Sequence, residues 1–182
     1  MQQLAALLVQ MLPLGKMMDA QAARDPKWPL EGKADLVTPE QLACMRHEMS
    51  SDGWRQSKLA EAREYAMAHP ERVAADLRIL QAGAAKVTSR MVHAGLLAKE
   101  GRAPVDTKAA LASVSAKQMH AFVLFAKDPG FAQLRELVGI ENSFNKTREE
   151  NQKASYDMGV SMGMKFTLRA MDDCKIPPAT LM

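Results

Sequence analysis

The chain has 182 residues, 47% of them hydrophobic and 25% charged, enough for one compact domain with a sizeable core and unlike a disordered chain. Its net charge of +3 comes from 24 basic and 21 acidic residues spread along the whole length, with no run of like charge to coat a phosphate backbone, so nucleic-acid binding is not expected. Aromatics are only 5%, Ala, Leu and Met are abundant, and no apolar run approaches the ~18 to 20 residues of a membrane span, so the expectation is an all-α protein without one.

The first segment, LAALLVQMLPLG, has the apolar character of a signal-peptide core, but no Lys or Arg precedes Lys16 and no clean small-residue cleavage site follows. Leu4, Leu7, Leu8, Met11, Leu14 and Met18 instead fall at the three-and-four spacing of an amphipathic helix, kinked at Pro13. The Met before Gln2-Gln3 is read as a start standing in place of a removed leader.

The stretch ARDPKWPLEGKADLV carries Pro26, Pro29 and Gly32 and reads as an irregular connection pinned to the core by Trp28. Thr38-Pro39-Glu40-Gln41 opens a helix in the order Thr cap, Pro at the first position and Gln three after the cap. That helix stops at SSDG, where Ser51 or Asp52 is expected to cap the next one, through Trp54, Leu59 and Tyr65 to His69.

From Pro70, the positions Val73, Leu77, Leu80, Ala84, Val87, Met91, Ala94 and Ala98 step by four and three and predict a long central helix, weakened locally by Gly83 and Gly95. A break at KEGRAPVD and a short helical turn from Asp106 to Ala112 follow. Ser115 and Gln118 form a second capping box, opening a helix with Met119, Phe122, Val123 and Phe125 on its apolar side. At FAKDPG the chain turns a corner, with Asp128 as cap and Pro129 in the first turn of a helix carrying Phe131, Leu134, Leu137 and Val138 as far as Gly139. The last segment begins with NKTREENQK, residues 145 to 153, without one apolar residue, and becomes Met-rich from Ala154 to Met171. A helix polar all round either projects into solvent, held by pairs such as Glu149 with Lys153, or is covered by a partner. The expected architecture is a single helical domain over 1–182, a bundle of six to seven helices.

Residues that could carry chemistry do not assemble into a recognisable set. Cys44 and His47 share a helix face but have no matching pair among His69, His93 and His120, so no metal site is expected. Fourteen methionines suit Cu(I) in principle, yet without a compact cluster they read as adaptable core and groove filler, and no cofactor is predicted. There is no Gly-rich phosphate loop and no nucleophile or paired-carboxylate setting, so the chain reads as a non-enzyme. Gly159 and Gly163, four apart, are expected to mark tight helix packing. Cys44 and Cys174 predict one disulfide if the protein is exported, and two buried thiols if it is cytosolic.

The helix start Ser115-Ala-Lys-Gln-Met119 and the junction Phe125-Ala-Lys-Asp128-Pro129-Gly130 resemble a family of small, uncharacterised, helical exported bacterial proteins. Their signature is a Phe-Tyr-x-Ser-Pro-x-Gly junction between two helices; here Ala126 and Asp128 stand at its Tyr and Ser positions, and Gly130 comes one place early. The resemblance spans Val114 to Phe166 and implies a periplasmic, non-enzymatic helical protein, similar in type to immunity proteins that neutralise a toxin passed between bacteria. The expected partner is therefore another protein, with a cognate toxin as the leading reading. A periplasmic chaperone or envelope-stress factor with Met-rich surfaces for apolar clients is the alternative. For a binding protein the contact candidates are Asn145, Arg148, Glu149 and Asn151 in the polar stretch.

Overall fold

The computed structural model describes residues 1–99, 111–140 and 148–181, with side chains described in 1–93, 111–140 and 160–180. It is all-α: among the described residues there are nine α-helical segments and no strand. These are α1 (Gln2–Met11), α2 (Leu14–Arg24), α3 (Pro39–Glu48), α4 (Ser51–Ala68), α5 (Val73–Ile79), α6 (Ala85–Lys99), α7 (Ala116–Lys127), α8 (Ala132–Val138) and α9 (Arg148–Asp173). The count exceeds the expected six to seven because two predicted helices are divided. Pro13 separates α1 from α2, since its ring cannot continue the ladder of hydrogen bonds. Gly83 breaks the long central helix, leaving a π-helical turn, Leu80–Ala84, between α5 and α6. The turn expected from Asp106 to Ala112 falls largely outside the described residues.

The chain forms two compact units, Met1–Pro13 with Lys58–Lys146, and Leu14–Ser57 with Thr147–Met182. In the first unit α1 packs along α6, and α7 crosses the π-turn. Leu4, Leu8 and Met11, one stripe of α1, are at most 1% exposed, as are Leu80, Ala84 and Val87 around the turn. Gly83 explains why the crossing occurs there. Its φ of 142° is closed to L side chains, and a Cβ added to it would lie 2.6 Å from the Gln118 Cα. The crossing helix starts as the sequence predicts, with Ser115 Oγ accepting from the Gln118 amide and Gln118 Oε1 accepting from the Ser115 amide.

α7 ends at the corner foreseen in FAKDPG. Asp128 accepts from the Gly130 amide at 2.7 Å, Pro129 leads the 3₁₀ turn Pro129–Phe131, and Phe125 is fully buried. Arg135 of α8 reaches back and donates to the carbonyls of Phe125 and Asp128 at 2.7 and 2.8 Å, placing a cation on the end of α7 where the helix dipole is negative. α8 then closes on Gly139 in the left-handed conformation.

In the second unit α3 packs with α9, and the 3₁₀ turns Glu31–Leu36 and Pro178–Leu181 meet. Cys44 and Cys174 form a disulfide joining α3 to the end of α9. Gln41 acts twice beside it: Oε1 accepts from the Thr38 amide in the predicted capping box, and Nε2 donates to the Lys175 carbonyl at 2.9 Å. Trp54 and Phe166, both buried, meet edge to face at 5.1 Å.

The irregular connection is organised by a residue that the sequence did not single out. Arg46 donates to the carbonyls of Ala22, Asp25, Pro26 and Trp28 at 2.7 to 3.1 Å, so one guanidinium both ends α2 and holds the loop. Trp28 is buried, as expected for the pin of that loop. The cap of α4 differs from expectation: it is Ser50, whose Oγ accepts from the Asp52 and Gly53 amides, and the helix starts one residue later at Ser51. Ser51 is engaged elsewhere, its amide and hydroxyl both donating to the Asp19 carboxylate, which holds that acid below its usual range.

Candidate functional site

The first unit carries an open cleft of about 320 Å³. One wall is the last two turns of α4, with Glu61, Glu64, Tyr65 and Ala68, followed by His69; the other is α8, with Gln133, Glu136 and Leu137. The lining on α4 follows from helical periodicity, since 61, 65 and 68, and 64 and 68, stand three or four apart and share a face. Ala68 and Leu137 give it an apolar component, and the rings of Tyr65 and His69 lie 5.0 Å apart in a tilted pair.

Behind this wall lies a buried polar network. Tyr65 donates its hydroxyl proton to Asp76 Oδ2 at 2.6 Å, and Asp76, on α5, is completely buried. The Arg72 guanidinium stands 3.7 Å from Asp76 Oδ1, which has no hydrogen-bond donor of its own. Burial, and then the hydrogen bond to Asp76, raises the Tyr65 hydroxyl pKa from 10.0 to about 12. The Arg72 guanidinium is held above its ordinary value, first by its interaction with Tyr65. Tyr65 is thus locked as a neutral donor that fixes one wall of the cleft.

Charge around the cleft is unevenly compensated. Lys58, itself nearly buried, pairs with Glu61 at 2.7 Å. Glu64 and Glu136 are exposed, and among the described residues neither meets a cation. The Arg135 guanidinium beside Glu136 in sequence donates to the α7 carbonyls instead.

Of the residues expected from the sequence to make contacts, Asn145 lies outside the described residues. Arg148, Glu149 and Asn151 fall on the first turns of α9, with side chains outside the described residues. Cys44 is committed to the disulfide and so leaves His47 without its supposed companion ligand; among the described residues no group of three or more His, Cys, Asp or Glu could hold a metal. Gly163 does not mark tight packing as expected, since among the described residues a Cβ there would meet nothing within 4 Å; the surroundings of Gly159 lie outside the described residues.

Sequence reasoning missed the cleft because its walls come from segments about seventy residues apart. The only available signal was local: the shared face of Glu61, Tyr65 and His69, and of Glu64 with Ala68, on a helix ending before Pro70. The disulfide is compatible with a location outside the cytoplasm, and among the described residues no helix is long and apolar enough to cross a membrane. Comparison with protein-family models, with curated proteins and with solved structures finds no match.

Proposed function

We propose that this chain is a periplasmic, non-enzymatic protein-binding protein of the immunity type, which neutralises a cognate toxin by forming a tight one-to-one complex. The observation that carries this reading is the outer face of α9. Val160, Met164 and Leu168, spaced by four, are 47%, 60% and 41% exposed, while the neighbouring face of the same helix buries Phe166, Ala170 and Met171. A helix needs only the second stripe to hold its own fold, and a further apolar strip left in water is what a protein partner would cover. The polar run from 145 to 153 ends seven positions before Val160 on the same segment, and Asn145, Arg148, Glu149 and Asn151 are its proposed polar contacts. The disulfide supports export, since such bonds persist in oxidising compartments.

The test is to co-export the chain with the product of the adjacent reading frame. The expected result is protection of the cell and a one-to-one complex, lost in M164D/L168D and weakened when the charges of Arg148 and Glu149 are reversed. No toxic neighbour, together with no protection, would remove the reading.

A specific observation also favours a periplasmic chaperone. Met67 is 73% exposed, and Met17 and Met91 are exposed to 39% and 38%, which offers adaptable thioether surface to apolar clients. Suppression of aggregation across several unfolded proteins, with weak affinity for each, would select that function over the immunity type.

A further inference from the structure

We infer that the cleft between α4 and α8 receives a basic segment of the protein partner, with an Arg or Lys side chain seated between Glu64 and Glu136. The inference rests on the protein-binding reading and supplies the chemistry of one contact.

Acidity alone would not distinguish this place from a solvated helix face. Three further features do. The first is shape: the carboxylates line a concavity whose volume, about 320 Å³, sits at the small end of ligand pockets, room for one or two side chains and little more. Ala68 and Leu137 in its lining suit the aliphatic stem of a long basic side chain, which buries its methylenes and keeps its charge at the polar rim.

The second feature is position on the helices. Glu64 lies one turn before the end of α4, a helix with no basic residue in its last turn, and Glu136 lies in the last turn of α8 next to Arg135, whose guanidinium is bonded to the α7 carbonyls. Helix C-terminal ends carry partial negative charge that falls off within the last turn, so the Glu136 carboxylate stands where it is disfavoured. Local stability therefore disfavours that acid, and an external cation reverses the sign.

The third feature is the disposition of the chain's own cations. Lys58 is paired to Glu61, Arg72 stands against the buried Asp76, and Arg135 is bonded to two carbonyls at the end of α7. Each is held where it serves the fold, and among the described residues no cation stands against Glu64 or Glu136. The Tyr65 wall is fixed by its bond to Asp76, so the cleft is formed before anything enters it and little ordering cost falls on binding.

The experiment uses the full chain and a short oligo-arginine peptide, blocked at both ends, with an oligo-glutamate peptide of equal length as counter-probe. Oligo-arginine should bind, more weakly as salt is added, and oligo-glutamate should not. E64Q/E136Q should lose about tenfold in affinity while keeping or slightly raising thermal stability, because both acids are exposed and one of them leaves the last turn of α8. D35N/D172N removes the same charge from exposed positions of the other unit and should change affinity by less than about twofold. Equal losses in the two double variants, or no binding of oligo-arginine to the native chain, overturn the inference. The toxin complex separates it from the reading on which it rests: undiminished complex formation by E64Q/E136Q overturns the cleft alone, whereas failure of the native chain to form any complex overturns the immunity reading.

Discussion

Replacing Tyr65 by Phe removes one oxygen atom from the wall of the cleft and leaves the fully buried Asp76 without its hydrogen-bond donor. Oδ1 of Asp76 already lacks a donor, and the nearest cation, on Arg72, is 3.7 Å away. A hydrogen bond to a charged group contributes about 1.5 to 3 kcal/mol, and removing a partner from a buried charge costs toward the upper end of that range or beyond it. Because Arg72 remains, the loss in Y65F should be about 2 to 3 kcal/mol, which for a chain of this size lowers Tm by about 5 to 10 °C.

The pH dependence of Tyr65 has a definite sign. Its folded pKa, about 12, is raised above the ordinary 10.0, so the stability it contributes is fully present below pH 10 and is lost as pH rises through 12. The Tm gap between native protein and Y65F should therefore narrow across that window. Scanning calorimetry at neutral pH and along an alkaline series reads both effects. Y65F/D76L, which removes both polar partners, should cost less than the sum of the single changes. A Tm drop of under about 2 °C in Y65F, or a gap unchanged from pH 10 to 12, would refute the assignment of the Tyr65–Asp76 pair as a buried, coupled donor and acceptor.

Three more outcomes are expected. The native chain should show no reactive thiol, and C44S/C174S should lose about 2 to 5 kcal/mol in denaturant unfolding, since the bond closes a separation of 130 residues; reductant should lower the Tm of the native chain and not that of the variant. Gly83→Ala should cost about 3 kcal/mol through backbone strain and collision with α7, whereas Gly163→Ala, inside a helix and facing open space, should gain about 0.5 to 1 kcal/mol; a matched pair of urea melts compares them. Arg46→Lys keeps the charge and loses the fork that serves four carbonyls, so it should cost about 2 kcal/mol and make the 25 to 30 segment more susceptible to limited proteolysis.

Both capping boxes, the FAKDPG corner and the stop at Gly139 were legible in the chain, because each depends on residues within four positions of one another; at Pro13 the chain showed a kink where the helix is in fact divided. Periodicity also located the long segment from Val73 onward, yet could not show that Gly83 interrupts it. That break is caused by Gln118, thirty-five residues away, whose backbone passes where a Cβ would stand. The same limit hid Arg46, an unremarkable helix residue in sequence, whose four acceptors belong to another helix and its loop. It hid the cleft as well.

The sequence by itself determined the helical class and the positions of most helix ends, and left Cys44 and Cys174 as either a disulfide or two buried thiols, since hydrogen bonds of the local backbone and amphipathic spacing are written along the chain. Tertiary structure decided the rest: that Cys44 meets Cys174, that Asp76 is buried with a tyrosine as its donor, and that Glu64 and Glu136 line one cleft where, among the described residues, neither meets a cation. Those are facts about which distant segments share a volume, and burial and charge act through distance in space, to which spacing along a chain is blind.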